Sequence, residues 1–197
     1  VLYDARFAFS SHPRLEGTHA FLSASNPHWL RYDETKLIER LSSAEAAAKG
    51  TRLHDTAARC IADGLELQEE GKYPVLALYV NHAIQYGMTP EQMLMYSPYA
   101  YGTADAISFD QVENFLRIHD LKTGVTKPSP DQLYVYAAFF CLEYGFKPFE
   151  IQGELRIYQE GDGIHEYPLD RPYLSAVYDT IITSNEIVSK HRMGGLI

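Results

Sequence analysis

The spacing of apolar and polar positions changes period several times along the 197-residue chain. Leu41, Ala44, Ala48, Leu53, Ala57, Ile61 and Leu65 follow a helical stripe, which predicts a long helix from about Ser43 to Glu70. Tyr73 to Tyr86 reads as a second helical segment. Thr89 to Gln92 reads as a turn leading into a strand near Met93 to Ser97. Two strands follow, Tyr101 to Phe109 and Phe115 to Lys122, separated by the polar turn Gln111-Val112-Glu113-Asn114. Ser129 and Pro130 open a helix that Gly145 stops. Ile151, Gly153, Leu155 and Ile157 alternate with polar neighbours, which predicts a strand over Glu150 to Gln159. A tight turn at Glu160-Gly161-Asp162-Gly163 and a closing helix from Pro172 to His191 complete the chain. The first thirty residues are irregular, with a short helix over Glu34 to Leu41. The core order is helix, three strands, helix, strand: a mixed α/β (α+β) fold with a central mixed sheet flanked by helices.

The hairpin gives this pattern chemical content. Side chains alternate faces along a strand, so Leu116, Ile118, Asp120 and Lys122 share one face, and Phe115, Arg117, His119 and Leu121 the other. A four-residue turn at Gln111–Asn114 pairs Asp110 with Phe115, Phe109 with Leu116 and Ile107 with Ile118. The same register sets Asp105 opposite Asp120, with Cβ atoms roughly 5 Å apart. Like charges that close destabilise the sheet unless a cation neutralises them. Carboxylates bind hard divalent cations such as Mg²⁺. A cation there holds a phosphate and a water in line, and Lys122 is placed to orient or help deprotonate that water. These are the parts a metal-dependent phosphodiesterase uses.

Two helices bring further polar groups. His54 lies on the first long helix among small residues, and Gly50 at an interior position points to close backbone approach. Gln132 stands three residues after Ser129, the spacing of a capping box. It also shares a helix face with Tyr136, from which both can reach a nucleic-acid backbone. Trp29 is an anchor for the N-terminal segment or, as the less favoured reading, a stacking platform for an unpaired base. His12, His19 and His28 are irregularly spaced and read as ordinary polar residues. His119 points away from Asp120 and reads as a structural hydrogen-bonding residue.

Composition narrows the setting. The length fits one domain over 1–197, with an N-terminal extension at 1–42, the core at 43–160 and a C-terminal hairpin and helix at 161–197. No apolar run reaches membrane-spanning length and no secretory signal opens the chain, so a cytoplasmic protein is expected. Cys60 and Cys141 lie in apolar helical stretches as free thiols, and two cysteines cannot supply the four thiolates of an iron–sulfur cluster. The net charge of −9 opposes binding to phosphate unless positive charge is concentrated locally. Arg31, Lys36, Arg40, Lys49 and Arg52 form one such concentration, and Arg117, Lys122 and Lys127 another.

Taken in order, Gly50 to His54, Gly102 to Asp105, Asp120-Leu121-Lys122 and Gln132 to Tyr136 match Gly-x-x-x-His, Gly-x-x-Asp, (Asp/Glu)-x-Lys and Gln-x-x-x-Tyr motifs. The chain thereby resembles RecB-type members of the PD-(D/E)XK nuclease superfamily, in particular the small exonuclease-like proteins of phages and prophages. The resemblance covers most of the chain, from about His19 to Tyr158. It implies a restriction-endonuclease-like core and Mg²⁺- or Mn²⁺-dependent hydrolysis of DNA. Asp105, Asp120 and the Leu121 carbonyl would hold the metal, with His54 completing that site or helping a second. Lys122 would position water, and Gln132 and Tyr136 would position the DNA or the catalytic groups. It further implies a bacterial host cell, a role in replication or recombination and a single-strand-binding or annealing protein as a further partner. A structure-specific or restriction-like endonuclease, or a non-catalytic DNA-binding module, are the alternatives.

Overall fold

The computed structural model describes residues 7, 9–15, 20–25, 27–38, 52–122 and 129–194. After a 3₁₀ turn at Pro27–Arg31 come α1 (Arg52–Asp63) and α2 (Pro74–Gln85). Three strands follow, β1 (Thr89–Ser97), β2 (Ala100–Asp110) and β3 (Phe115–Lys122), then α3 (Asp131–Tyr144). β4 (Gln152–Gln159), β5 (Gly163–Pro168) and α4 (Arg171–Gly194) close the order. The five strands form one sheet in sequence order, antiparallel except for the β3–β4 pair. The parallel pair requires a crossover, and α3 supplies it. The result is a mixed α/β architecture with a central sheet flanked by helices, the restriction-endonuclease-like core order expected from the sequence.

The hairpin register is the expected one: Asp110 pairs with Phe115, Phe109 with Leu116 and Ile107 with Ile118. Asp110 Oδ1 accepts the backbone N–H groups of Val112 and Glu113, the local bonding that makes aspartate a turn-former. Alternation then divides the core. Ile107, Phe109, Leu116, Ile118, Leu155 and Ile157 pack with α3 and α4, while Ala106, Leu121 and Tyr158 pack with α1 and α2. α3 is apolar on every side, and Leu133 through Cys141 are all buried between the sheet and α4. Trp29 is buried and its Nε1 donates to the Ser23 carbonyl, so it anchors the N-terminal segment and is closed to a stacking base. His12 is joined to Glu143, and His19 lies outside the described residues.

Several boundaries differ from the expected ones. The helix carrying His54 ends at Asp63, well short of Glu70, because Gly64 takes a φ of +66°. Gly64 N–H donates to the Ile61 carbonyl and Leu65 N–H to that of Cys60, the paired bonds of a Schellman cap. Leu65 thus leaves the apolar stripe and stands exposed. The residues of this helix expected before Arg52, Gly50 among them, lie outside the described part. β1 begins at Thr89, not Met93, so the segment expected as a turn is strand. A fifth strand, β5, follows the Glu160–Gly163 turn. Cys60 and Cys141 are both free, but only Cys141 is fully buried.

Gly153 shows how closely β4 approaches β3. A Cβ there would lie 2.2 Å from the Leu116 carbonyl oxygen, a backbone atom that cannot swing away. Gly153→Ala should therefore force apart the parallel pair and cost about 1–3 kcal/mol, the usual range for overpacking. Urea denaturation checks this: the midpoint should fall with little change in slope.

Candidate active site

The candidate residues meet where the β2–β3 ladder ends. Ala106 and His119 are the last regular pair toward this end, and one step further stand Asp105 and Asp120. Leu121 N–H donates to Asp105 Oδ2 at 2.8 Å, so a side chain occupies the place of a β2 backbone acceptor. His54 of α1 reaches the same oxygen, with Nδ1 3.3 Å away. Asp120 is 1% exposed. Lys122 Nζ donates to its Oδ1 at 3.2 Å. The ammonium is also 2.9 Å from Oδ2, but at an angle that makes no hydrogen bond, and Oδ2 has no donor among the described residues.

Gln132 and Tyr136 belong to the same constellation. Gln132 Oε1 accepts from Lys122 Nζ at 2.5 Å, and Gln132 Nε2 donates to the Tyr136 hydroxyl at 3.1 Å. The capping-box alternative for Gln132 is overturned. Pro130 occupies the cap position, and Ser129 Oγ accepts from Asp131 N–H in a local turn. The side chain of Gln132 is buried and committed to Lys122 and Tyr136. Gly102 sits behind this arrangement: a Cβ there would meet Tyr136 Cε1 at 3.2 Å and Ala24 Cβ at 3.4 Å. Glycine in the Gly-x-x-Asp segment lets the tyrosine ring close on β2.

Glu91 joins the cluster and was not expected. The β1–β2 register pairs Pro90 with Ala106 and Gln92 with Ala104, which sets Glu91 opposite Asp105. His54, Glu91 and Asp105 each bring a ligating atom within 4.8 Å of the others. Glu91 holds a φ of +47°, in the left-handed region. For a residue other than glycine this costs roughly 1–3 kcal/mol. The signal in the sequence was the alternation itself: extending β1 four residues back to Thr89 puts an acid opposite Asp105.

The charges are mutually unfavourable without a cation. Burial, then the charge of Asp105, raises the Asp120 carboxyl well above the usual aspartate range, and the Lys122 ammonium only partly offsets this. Glu91 is exposed on one side, yet loss of water on its other side and the Asp105 charge push it up to about 7. The hydrogen bond to Asp105 raises His54 against the opposing effect of burial. Tyr136 is raised well above an ordinary phenol by burial, then by Asp105 and Asp120, and stays protonated. His119 turns to the opposite face, fully buried, with Nδ1 3.4 Å from the Tyr158 hydroxyl. Burial lowers its pKa well below the ordinary value, so it is neutral.

The flanking cations are less free than their clustering suggested. Arg31 pairs with Asp131 at 2.8 Å and Arg117 with Glu154 at 2.9 Å. Arg40, Lys49 and Lys127 lie outside the described residues, as does the side chain of Arg52. Among the described residues, no helix is long and apolar enough to cross a membrane.

No family model matches the chain, and no curated protein matches it. Among solved structures, the chain is similar to an alkaline exonuclease (LHK-Exo) from Laribacter hongkongensis, at 11% identity over 88% of this chain and 92% of that one, with a TM-score of 0.42. It is also similar to the crystal structure of SSO0001, at 15% identity over 82% of this chain and 74% of that one, with a TM-score of 0.33.

The pKa directions give a testable pH dependence. Asp120, Glu91 and His54 all titrate higher in the folded protein than in the unfolded chain. Between the unfolded and folded pKa values the folded state holds the extra proton, so stability falls as pH rises through that window. The metal-free protein should lose melting temperature relative to its Asp120→Asn variant between about pH 4 and pH 7. A melting difference that stays flat over this range would contradict the assignment of a repelled, buried Asp120.

Proposed function

We propose that this chain is a divalent-metal-dependent DNA nuclease, an exonuclease of the phage type acting in replication or recombination. One observation carries the reading: Asp105 and Asp120 stand side by side on adjacent strands just past the last β2–β3 pair, and the amine of Lys122 is tethered between Asp120 and Gln132. A hard cation fits this donor set. Two carboxylates otherwise repel each other, and buried Asp120 Oδ2 has no hydrogen-bond donor among the described residues, although the Lys122 ammonium lies 2.9 Å away. The N–H and C=O of one strand residue point to the same edge, so the Leu121 carbonyl is turned toward β2 with the N–H that meets Asp105. Asp105, Asp120 and the Leu121 carbonyl would hold Mg²⁺ or Mn²⁺, with His54 beside them. When bound, the cation polarises a phosphoryl oxygen and lowers the pKa of a coordinated water.

The protein's own groups supply the rest. Lys122 carries the positive charge nearest the acids, and Gln132 Oε1 fixes its direction. From there the ammonium orients the attacking water and stabilises charge gathering on the phosphate oxygens. Gln132 Nε2 holds the Tyr136 hydroxyl, which faces the same acids and stays protonated at neutral pH. The substrate is DNA under this reading, and Lys122 is the cation placed at the site to meet its phosphates against the net charge of −9.

Asp120→Asn should abolish cleavage while the protein remains folded, because it deletes a charged ligand and keeps the shape. Cleavage of end-labelled DNA in Mg²⁺ or Mn²⁺, followed beside thermal melting, measures both, and full activity in the variant would remove the assignment. Linear DNA should be degraded and closed circular DNA spared; cutting of the circle would move the protein to the endonuclease alternative. Gln132→Ala should cost roughly 100-fold in the cleavage rate, the scale of a catalytic group misplaced by about 1 Å. Retention of the parent rate in Gln132→Ala would leave Lys122 positioned by Asp120 alone.

A further inference from the structure

The acids at this end of the sheet form a row across three strands, not a pair. Glu91 on β1 faces Asp105 on β2, and Asp120 on β3 stands on the other side of Asp105. The sequence resemblance accounts for Asp105 and Asp120 but gives Glu91 no part. Glu91 shows no hydrogen bond or ion pair with a described residue, although it holds a strained backbone to stand there. Its nearest possible co-ligands are of two kinds, the imidazole of His54 and the carboxylate of Asp105.

We propose that Glu91, His54 and Asp105 form a cation subsite of their own, beside the one made by Asp120 and the Leu121 carbonyl, with Asp105 shared. The inference rests on the metal-dependent reading above; a second ion near His54 is already implied by the sequence resemblance, and Glu91 is the ligand that the geometry adds to it. Ligands on opposite sides of one cation are separated by about twice the metal–oxygen distance, roughly 4–5 Å for Mg²⁺ to Ca²⁺. The three ligating atoms all lie within 4.8 Å of one another, close enough for side-chain rotations to bring them onto one cation. Asp105 has two oxygens to divide between the ions: Oδ2 lies beside His54, and Oδ1 has no hydrogen bond among the described residues. The neighbouring Asp120 is 1% exposed, with the Lys122 ammonium 2.9 Å from Oδ2 and no hydrogen bond to that oxygen among the described residues. One cation at Asp120 leaves Glu91 and Asp105 facing each other, and the second relieves them.

The subsite has a chemical preference. The Asp120 subsite offers oxygen alone, which suits Mg²⁺. An imidazole in the Glu91 subsite shifts its preference toward Mn²⁺ and later divalent metals, which accept nitrogen more readily. Its exposed Glu91 side leaves it open to a phosphate oxygen or to solvent. Glu91 is thus a residue that sets which second metal is taken, and how tightly.

Counting ions tests this without reference to cleavage. Mn²⁺ is titrated into the metal-free protein and the free ion is read by its paramagnetic resonance signal. The parent should bind two ions. Glu91→Gln should bind one, with the affinity for the other reduced at least about tenfold, the scale of losing one supporting group or more. Glu91→Asn is a second variant, since asparagine tolerates a left-handed backbone, and it should behave alike. Asp120→Asn should retain one ion, which the double variant Glu91→Gln/Asp120→Asn loses. Melting of each metal-free variant at or above the parent excludes misfolding as the cause. Unchanged stoichiometry and affinity in both Glu91 variants overturns the subsite and leaves the nuclease reading standing. A parent protein that binds no Mn²⁺ overturns both.

Discussion

The hydrogen bond from Leu121 N–H to Asp105 Oδ2 is where the sheet stops being a sheet and becomes a site. A ladder bond joins two backbones and leaves side chains outside. Here one backbone donates to the neighbouring side chain, so Asp105 is fixed by the strand beside it rather than by its own rotamer. The same bond brings His54 and Asp120 to bear on one carboxylate. Without it Asp105 would be a β2 side chain with no fixed direction. With it, a carboxylate is held against others of its own charge, which folding alone does not favour.

The rest of the core is organised to resist that repulsion. α3 is buried all round, so Gln132 and Tyr136 cannot turn to solvent without exposing Leu133 or Phe139. Their polar ends satisfy each other and Lys122, which answers part of the charge of Asp120. Among the described residues nothing answers the remainder, and a native state just above its stability threshold concentrates such strain at functional sites. The acidic surface and the acidic site are therefore different matters. The first is spread through water and screened, while the second is close-range and partly dry.

Much of this was legible in the chain, and the exceptions have physical causes. Alternation from Ile107 to Lys122, with a four-residue polar turn between, was enough to set Asp105 opposite Asp120, because period two leaves one register for a half-buried hairpin. His54, Lys122, Gln132 and Tyr136 also meet there as expected. Glu91 was hidden by Pro90: a Thr-Pro step reads as a turn, whereas here proline lies in an edge strand, where its missing N–H goes unneeded. Gln132 looked like a cap because the spacing from Ser129 is right, and spacing cannot say that Pro130 takes the cap and frees the amide. β5 carries weak alternation and mostly half-exposed positions, so little apolar signal marks it.

Gly102 carries a consequence beyond its own turn of chain. Tyr136 rests on the bare Cα face of that glycine, Gln132 is held by Tyr136, and Lys122 is held by Gln132. The direction of a charged amine is thus referred, through two side chains, to the absence of one methyl group on β2. A chain with alanine there would keep every ionisable group of the site and press the Tyr136 ring back by a few tenths of an ångström. Steric room, more than the inventory of reactive residues, is what this arrangement inherits and cannot substitute.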